Sequence, residues 1–279
     1  NTLPFGSRLT EDHLLVALQP NGTRAACFLV HPPGGIVVCY QALAQRLGDD
    51  RPFYGIRSRG LHGETELPAS LEEMAAEYVA AIRTVQPREP YHLGGWSMGG
   101  IIAYEMAQQL RNQGQAIGLL ALLDTTIPHN AANVPYAEDA EQSAREYGLD
   151  LTLEELDRLG PDEQLPYLWD HVRKLGLVDD DTPLPLVQQI LDDLKRLFHT
   201  HIKLGSDYAL RPYPGRLTLF RPREAPVPVQ TAPDRNWGKL AAAVDVHFVP
   251  GQHHTMVKEP HVQVLAQQLR QCLRQADLG

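Results

Sequence analysis

The sequence predicts an α/β fold: a mostly parallel sheet with helices on both faces and one helical insertion. Short apolar segments alternate with amphipathic helical segments along most of the chain, which is typical of a parallel sheet. One stretch, residues 127–215, shows helical patterns only. The 279 residues are 43% hydrophobic and 21% charged, which is enough to bury a sizeable core.

Seven short apolar segments are the candidate strands of this sheet. The first two flank Asn21 and Gly22, the favoured pair for a type I′ turn, so we expect them to form an opening hairpin. Most of the later segments are separated by helical patterns, so we expect those strands to run parallel. In chain order the candidates are residues 14–18, 27–30, 54–56, 91–93, 117–124, 217–220 and 244–249.

Three amphipathic segments predict the helices that cover the sheet. Residues 70–86 begin with Ser70 and Glu73, the two partners of a capping box. Residues 98–112 end shortly before Gly114, a common residue just past a helix. Residues 261–275 carry apolar side chains at helical spacing and close the chain.

Residues 127–215 are expected to form a helical lid between two strands of a core made of residues 14–126 and 216–279. Open α/β sheets bind ligands at their strand ends, so an insertion there is placed to cover a binding site. The alternative is a helical subdomain with no role at the site. The helical patterns lie at residues 137–147, 152–155, 165–175 and 184–204.

The net charge of −9 belongs to this insertion. Residues 127–215 hold 17 acidic and 8 basic side chains, and the rest of the chain holds 17 of each. Solvated helix faces explain such an excess, and a lid charged to sort substrates is the alternative. Neither part has a basic stripe, so we expect no nucleic-acid partner, because phosphate neutralisation needs clustered Lys and Arg.

Other features of the sequence bear on membrane association, cellular location and the parent polypeptide. No apolar run approaches 18 residues, so we expect neither a membrane span nor a membrane partner. The cysteines, at positions 27, 39 and 272, are odd in number and far apart, which favours a reducing, cytoplasmic location over a disulfide scaffold. The chain begins at Asn1 without an initiator Met or a signal sequence, so we expect it to be cut from a longer polypeptide.

A Gly-Trp-Ser-Met-Gly motif at residues 95–99 carries the strongest chemical signal. A candidate strand runs into it and an amphipathic helix leaves it, which is the setting of a nucleophile elbow. The helix N-terminus directs backbone N–H groups towards developing negative charge. We therefore expect Ser97 to be a catalytic nucleophile on an α/β-hydrolase fold.

A serine nucleophile needs a base, and that base needs an orienting carboxylate. In α/β-hydrolases the acid follows the serine in the chain and the histidine comes last. Asp124 ends the apolar segment 117–124 and is the expected acid. His253 and His254 lie on the loop after the last strand, and spacing does not choose between them.

The oxyanion hole of such an enzyme needs two backbone N–H donors. Met98, the residue after the serine, is the first expected donor. The second should come from the turn after an early strand, where Pro32 and Pro33 have no N–H and Gly34 is the first residue that has one. The remaining histidines show no zinc-ligand spacing, so we expect no metal site.

Four blocks together resemble a known family. They are His-Pro-Pro-Gly-Gly at 31–35, Gly-Gly-Trp-Ser-Met-Gly-Gly at 94–100, Leu-Leu-Asp at 122–124 and Gly-Gln-His-His-Thr-Met at 251–256. In this order they resemble the type I thioesterase domains that end nonribosomal peptide and polyketide synthetases. The overall likeness is to the terminal thioesterases of depsipeptide synthetases.

The resemblance implies specific roles and partners. The family's Gly-x-His-x-x-Met pattern falls on Gly251, His253 and Met256, so His253 becomes the expected base. Residues 1–13 become the linker from an upstream carrier domain. That carrier would present an acyl or peptidyl chain as a phosphopantetheine thioester, and the domain itself would bind no cofactor.

The implied reaction is transfer of the chain to Ser97, followed by release. We expect release by macrocyclisation, giving a macrolactone or depsipeptide, on the strength of the long apolar lid. Hydrolytic release or editing to a linear acid, or a lipase-like esterase, would use the same catalytic residues. A binding module on the same fold, without catalysis, is the remaining alternative.

Overall fold

A computed structural model describes residues 14–61, 66–127, 158, 183–224 and 232–278. The expected linker, residues 1–13, lies outside the described residues. So does most of the expected lid, residues 128–157 and 159–182.

The described residues form a seven-stranded sheet in which β1 is antiparallel to its neighbour and all the other pairs are parallel. The order across the sheet is β1-β3-β2-β4-β5-β6-β7. This confirms the mostly parallel sheet predicted from the sequence. The strands are β1 (Leu15–Gln19), β2 (Cys27–Val30), β3 (Phe53–Ile56), β4 (Tyr91–Trp96), β5 (Ile117–Leu123), β6 (Tyr213–Pro222) and β7 (Ala241–Val249).

The predicted opening hairpin is wrong. β1 pairs with β3, because both edges of β2 are taken by the parallel strands β3 and β4. The chain between β1 and β2 instead packs on the segment before β3. A Cβ on Gly22 would lie 2.3 Å from the Arg51 nitrogen, and the Gln19 amide donates to the Arg51 carbonyl over 2.8 Å.

Five α-helices lie among the described residues, and three of them match the predicted core helices. The Ser70 hydroxyl accepts the Glu73 N–H at 3.1 Å, as the predicted capping box requires. The first helix was not predicted, because seven residues give too short a pattern to detect. The helices are α1 (Gln41–Leu47), α2 (Leu71–Val85), α3 (Met98–Asn112), α4 (Leu184–Asp207) and α5 (Val262–Ala276).

Two apolar clusters, one on each face, hold the helices to the sheet. α2 and α3 bury residues such as Tyr78 and Ile102 in one cluster. α1 and α5 bury residues such as Leu43 and Leu269 in the other. β4 is fully buried between the two clusters. Its carboxyl end therefore has a fixed position at the edge of the sheet.

α4 lies at the edge of the sheet where the parallel strands end. It lies within the expected insertion and packs against α3. The buried Glu105 carboxylate of α3 accepts the Tyr208 hydroxyl at 2.5 Å and the Arg211 guanidinium at 2.8 Å. Neither α4 nor any other helix in the described part of the chain is long and apolar enough to cross a membrane.

Candidate active site

Ser97 lies at the sharp turn between β4 and α3. Its backbone has φ 57° and ψ −128°, a conformation that L-residues rarely adopt. Two glycines make room for the turn. A Cβ on Gly95 would lie 2.2 Å from the Gly99 carbonyl carbon, and one on Gly99 would lie 2.5 Å from the Val30 oxygen. The strand–turn–helix that the motif predicts is therefore present, with Ser97 at its strained point.

Asp124 leaves the neighbouring strand beside Ser97. Trp96 and Leu123 are register partners in β4 and β5, so the next residue of each strand emerges at the same edge. The Asp124 side chain is 4% exposed, and its backbone has φ 47°. Its N–H donates to the Phe220 carbonyl at 2.8 Å, which holds the carboxylate at this position.

His253 is the histidine that contacts this carboxylate. Its Nδ1 lies 2.6 Å from Asp124 Oδ2, and its ring packs 5.1 Å from the Trp96 ring. An ionised carboxylate only accepts hydrogen bonds, so Nδ1 carries the proton and Nε2 is the basic nitrogen. The ring of His254 packs edge-on against His253, with the centroids 5.2 Å apart.

The loop that carries His253 is fixed at both ends. Gly251 has φ 87°, and a Cβ there would meet the Thr255 hydroxyl at 2.6 Å. The Thr255 hydroxyl accepts the Gln252 N–H at 2.8 Å, and Met256 is fully buried behind the loop. His253 is therefore held by a short turn between two anchored residues.

The Gly34 N–H, predicted as an oxyanion donor, meets an unexpected partner. It donates to Nδ1 of His201 on α4 over 3.1 Å, in a buried position. The other predicted donor, Met98, begins α3, and its side chain borders α4, where a Cβ on Gly205 would lie 3.0 Å from the Met98 sulfur. α4 therefore contacts both residues predicted to form the oxyanion hole.

The comparison with protein families decides the family. A family model described as "Thioesterase domain" matches residues 26–272. The chain belongs to the thioesterase-domain family.

A nonribosomal peptide synthase is among the proteins similar to this domain. The dimodular nonribosomal peptide synthase of Bacillus subtilis (strain 168) is 33% identical over 221 residues, which cover 78% of this chain and 9% of that synthase. The chain thus spans only a small part of the length of that relative.

Solved structures of thioesterase domains resemble the fold of this chain over more than nine-tenths of its length. The NocB thioesterase domain in covalent complex with a fluorophosphonate nocardicin G analogue has a TM-score of 0.68 and 28% identity, covering 93% of this chain and 99% of that one. The Vlm2 thioesterase domain bound with a tetradepsipeptide has a TM-score of 0.65 and 26% identity, covering 92% and 96%. The predicted α/β-hydrolase fold is confirmed.

His201, which accepts the Gly34 N–H, forms a buried pair with His31. No pattern in the sequence indicated this pair. The His31 and His201 rings lie 4.7 Å apart. His201 Nε2 donates to the Ser58 hydroxyl at 3.0 Å, since that hydroxyl donates to the Arg59 carbonyl. Burial lowers the pKa of His31 to about 4 and that of His201 well below its usual value, so both rings are neutral.

Arg235 is a second residue that the sequence did not reveal. Its guanidinium contacts Asp124 Oδ1, the carboxylate oxygen that does not face His253. Four non-glycine residues in the described ranges have positive φ: Ser97, Asp124, Arg235 and Asn236. Two of them are predicted catalytic residues, and Arg235 touches one of these, so backbone strain concentrates at this site.

The described part of the site offers no metal cage. Within the described ranges, no group of three or more His, Cys, Asp and Glu side chains could hold a metal ion. The polar groups of the site are the Asp124 carboxylate, the imidazole and guanidinium that contact it, and backbone N–H groups. Such a set suits proton transfer and anion stabilisation.

Proposed function

We propose that this domain is a terminal thioesterase that moves an acyl or peptidyl chain from a carrier-bound phosphopantetheine thioester onto Ser97 and then releases it. The observation that carries the proposal is the 2.6 Å contact between His253 and Asp124, beside a serine in a strained elbow. Such a pair leaves the far imidazole nitrogen basic, so that it can take the proton of a serine that attacks a carbonyl.

In the first half-reaction, His253 Nε2 takes the proton from Ser97 while the serine oxygen attacks the thioester carbon. The Met98 N–H and the Gly34 N–H stabilise the resulting oxyanion. The Gly34 N–H gives up its hydrogen bond to His201 to do so. The tetrahedral intermediate then collapses, its C–S bond breaks, and the phosphopantetheine thiol leaves with the proton from His253. The product is an acyl ester of Ser97.

In the second half-reaction, a nucleophile attacks that ester with His253 again as base. Water gives a linear acid, and a hydroxyl or amine of the bound chain gives a ring. We favour ring closure to a macrolactone or depsipeptide. The depsipeptide bound by the similar Vlm2 domain supports this choice, as does the resemblance to depsipeptide synthetases such as valinomycin synthetase. A helical lid over residues 127–215 would exclude water.

An upstream carrier domain is the proposed partner, in the cytoplasm, with residues 1–13 as the connecting linker. The similarity to a dimodular synthase supports a multidomain setting. The charge distribution favours docking on the core, because residues 127–215 carry a net charge of −9 and the rest is neutral. An acidic carrier would be repelled by the insertion.

The test gives the domain a pantetheine thioester of a long hydroxyacyl chain and examines the products by mass spectrometry. We expect a cyclic product that loses one water relative to the linear acid, and no product with the variant Ser97→Ala. Linear acid alone, with good turnover, would refute ring closure and establish hydrolytic release. Equal turnover by Ser97→Ala would refute the acyl-enzyme mechanism itself.

A further inference from the structure

The Asp124 carboxylate is shared between two side chains. Oδ2 faces His253 Nδ1 at 2.6 Å, and Oδ1 faces the Arg235 guanidinium. The Arg235 and Asp124 side chains are 16% and 4% exposed, so this ion pair is largely shielded from water. A paired charge in such a place acts on its neighbours far more strongly than one on the surface.

Hydrogen bonds hold the turn that carries Arg235 in place. The Asp234 carboxylate accepts the N–H groups of Asn236 and Gly238 at 3.1 and 2.9 Å. The indole of the fully buried Trp237 donates to the Thr125 carbonyl at 3.1 Å, which ties the turn to the residue after Asp124.

The same turn is held from the other side and is strained. The Arg221 guanidinium of β6 donates to the Pro233 carbonyl at 2.8 Å. Arg235 and Asn236 have φ values of 51° and 65°. A non-glycine residue in this region costs free energy, so the surrounding bonds must hold it there.

We propose that Arg235 is a positioning residue of the catalytic triad: it fixes the Asp124 carboxylate for His253 and offsets part of the negative charge that the imidazole senses. This inference rests on the proposed triad of Ser97, Asp124 and His253. A guanidinium suits the role, because its charge persists at every physiological pH.

Several charged groups face His253 or its loop. Asp124, which follows β5, favours the imidazolium, while Arg235, which contacts Asp124, opposes it. The charge of Arg221 on β6 acts on Arg235. His254 packs against the ring, and the Glu224 carboxylate accepts the Gly251 N–H at 3.3 Å at the start of the loop. Without the Arg235 charge, Asp124 would hold the imidazolium more strongly, and the base would become neutral only at higher pH.

The test measures the rate of Ser97 labelling by a fluorophosphonate between pH 5 and 9, because this probe needs no knowledge of the natural substrate. We expect Arg235→Gln to move the midpoint of the acidic limb upward by about half a pH unit or more. Arg235→Lys keeps the charge and should keep the midpoint.

Arg216→Gln is the matched control, because it breaks another Arg–Asp pair, to Asp245 at 2.7 Å, on the exposed early part of β6. Arg216→Gln should change neither the midpoint of the acidic limb nor the labelling rate of Ser97. An Arg235→Gln midpoint equal to that of the unaltered domain would overturn the inference, whether or not the rate falls. Equal labelling of Ser97→Ala would instead mean that the proposed function itself fails.

Arg235→Gln could act by loosening the fold, so a direct readout accompanies the rate. The proton signal of the His253 Nδ1–H bond to Asp124 lies further downfield in the imidazolium than in the neutral ring, and it should move upfield at higher pH in folded Arg235→Gln than in the unaltered domain. A signal that moves at the same pH in both would contradict the charge effect.

Discussion

His253 and His254 are neighbours in the chain, but their environments differ. The His253 ring reaches Asp124 at 2.6 Å, whereas the His254 ring packs edge-on against His253. We therefore expect His253→Ala to slow fluorophosphonate labelling of Ser97 by about a thousandfold or more, because the serine loses its base. His254→Ala should stay within about tenfold of the unaltered rate. The opposite ranking would make His254 the base.

Residue types and local patterns were enough to propose Ser97 and Asp124, because each follows an apolar strand, whereas His253 was preferred to His254 only through the family resemblance. His201 and Arg235 lack such a pattern. His201 sits in an ordinary amphipathic helix, and the role of Arg235 depends on how a turn after β6 packs against Asp124. Contacts between segments distant in the chain have no signature in one sequence.

At the scale of the elements, the Asn21–Gly22 pair shows how a local turn signal can be overridden. That pair favours a hairpin, but β2 is buried and is paired along both edges by parallel strands. The free energy gained by a central, fully buried strand exceeds the preference of two turn residues. β1 therefore reaches past β2 to the outer edge of β3.

A hydrogen bond connects α4, in the expected lid, to the turn after β2. The Gly34 N–H donates to His201 Nδ1 at 3.1 Å, and the oxyanion would need that same N–H. We expect His201→Leu to lower the free energy of unfolding by about 1–3 kcal/mol, since the Ser58 hydroxyl and the Gly34 N–H lose a buried partner. The labelling rate of Ser97 should not fall, because the neutral acceptor that competes with the oxyanion is gone.

Denaturant unfolding and fluorophosphonate labelling of the same preparations check this expectation. His199→Leu is the control, because His199 lies on the same helix but is exposed. It should leave both quantities nearly unchanged. A hundredfold slower labelling of folded His201→Leu would show instead that His201 holds Gly34 in its catalytic position.

At the scale of the whole molecule, three buried histidines tie distant parts of the chain together. His31 and His201 join the turn after β2 to α4. His92 on β4 lies at the opposite end of the sheet, 3.4 Å from Asp277 beyond α5. The Asp277 carboxylate also contacts Arg51 at 2.5 Å and Arg24 at 2.7 Å, so the C-terminal helix is fastened to the start of the sheet.

All three histidines are neutral in the folded protein. Burial is the main cause: it lowers the pKa of His31 and of His92 to about 4, and it lowers that of His201 in the same direction. An unfolded chain binds protons at the ordinary histidine pKa of about 6.5. Between these values the unfolded state binds more protons than the folded state, so stability falls as the pH drops through this window.

The expected loss at pH 5 is about 2 kcal/mol for His31 and about 2 kcal/mol for His92, relative to pH 7. Chemical denaturation at the two pH values measures the total loss, to which His201 also contributes, and His92→Gln should reduce the difference by the share of His92. Because His92 lies far from Ser97, labelling of this variant at pH 7 should match the unaltered domain. A free energy of unfolding that stays constant from pH 7 to 5 would mean that these imidazoles bind protons in the folded state.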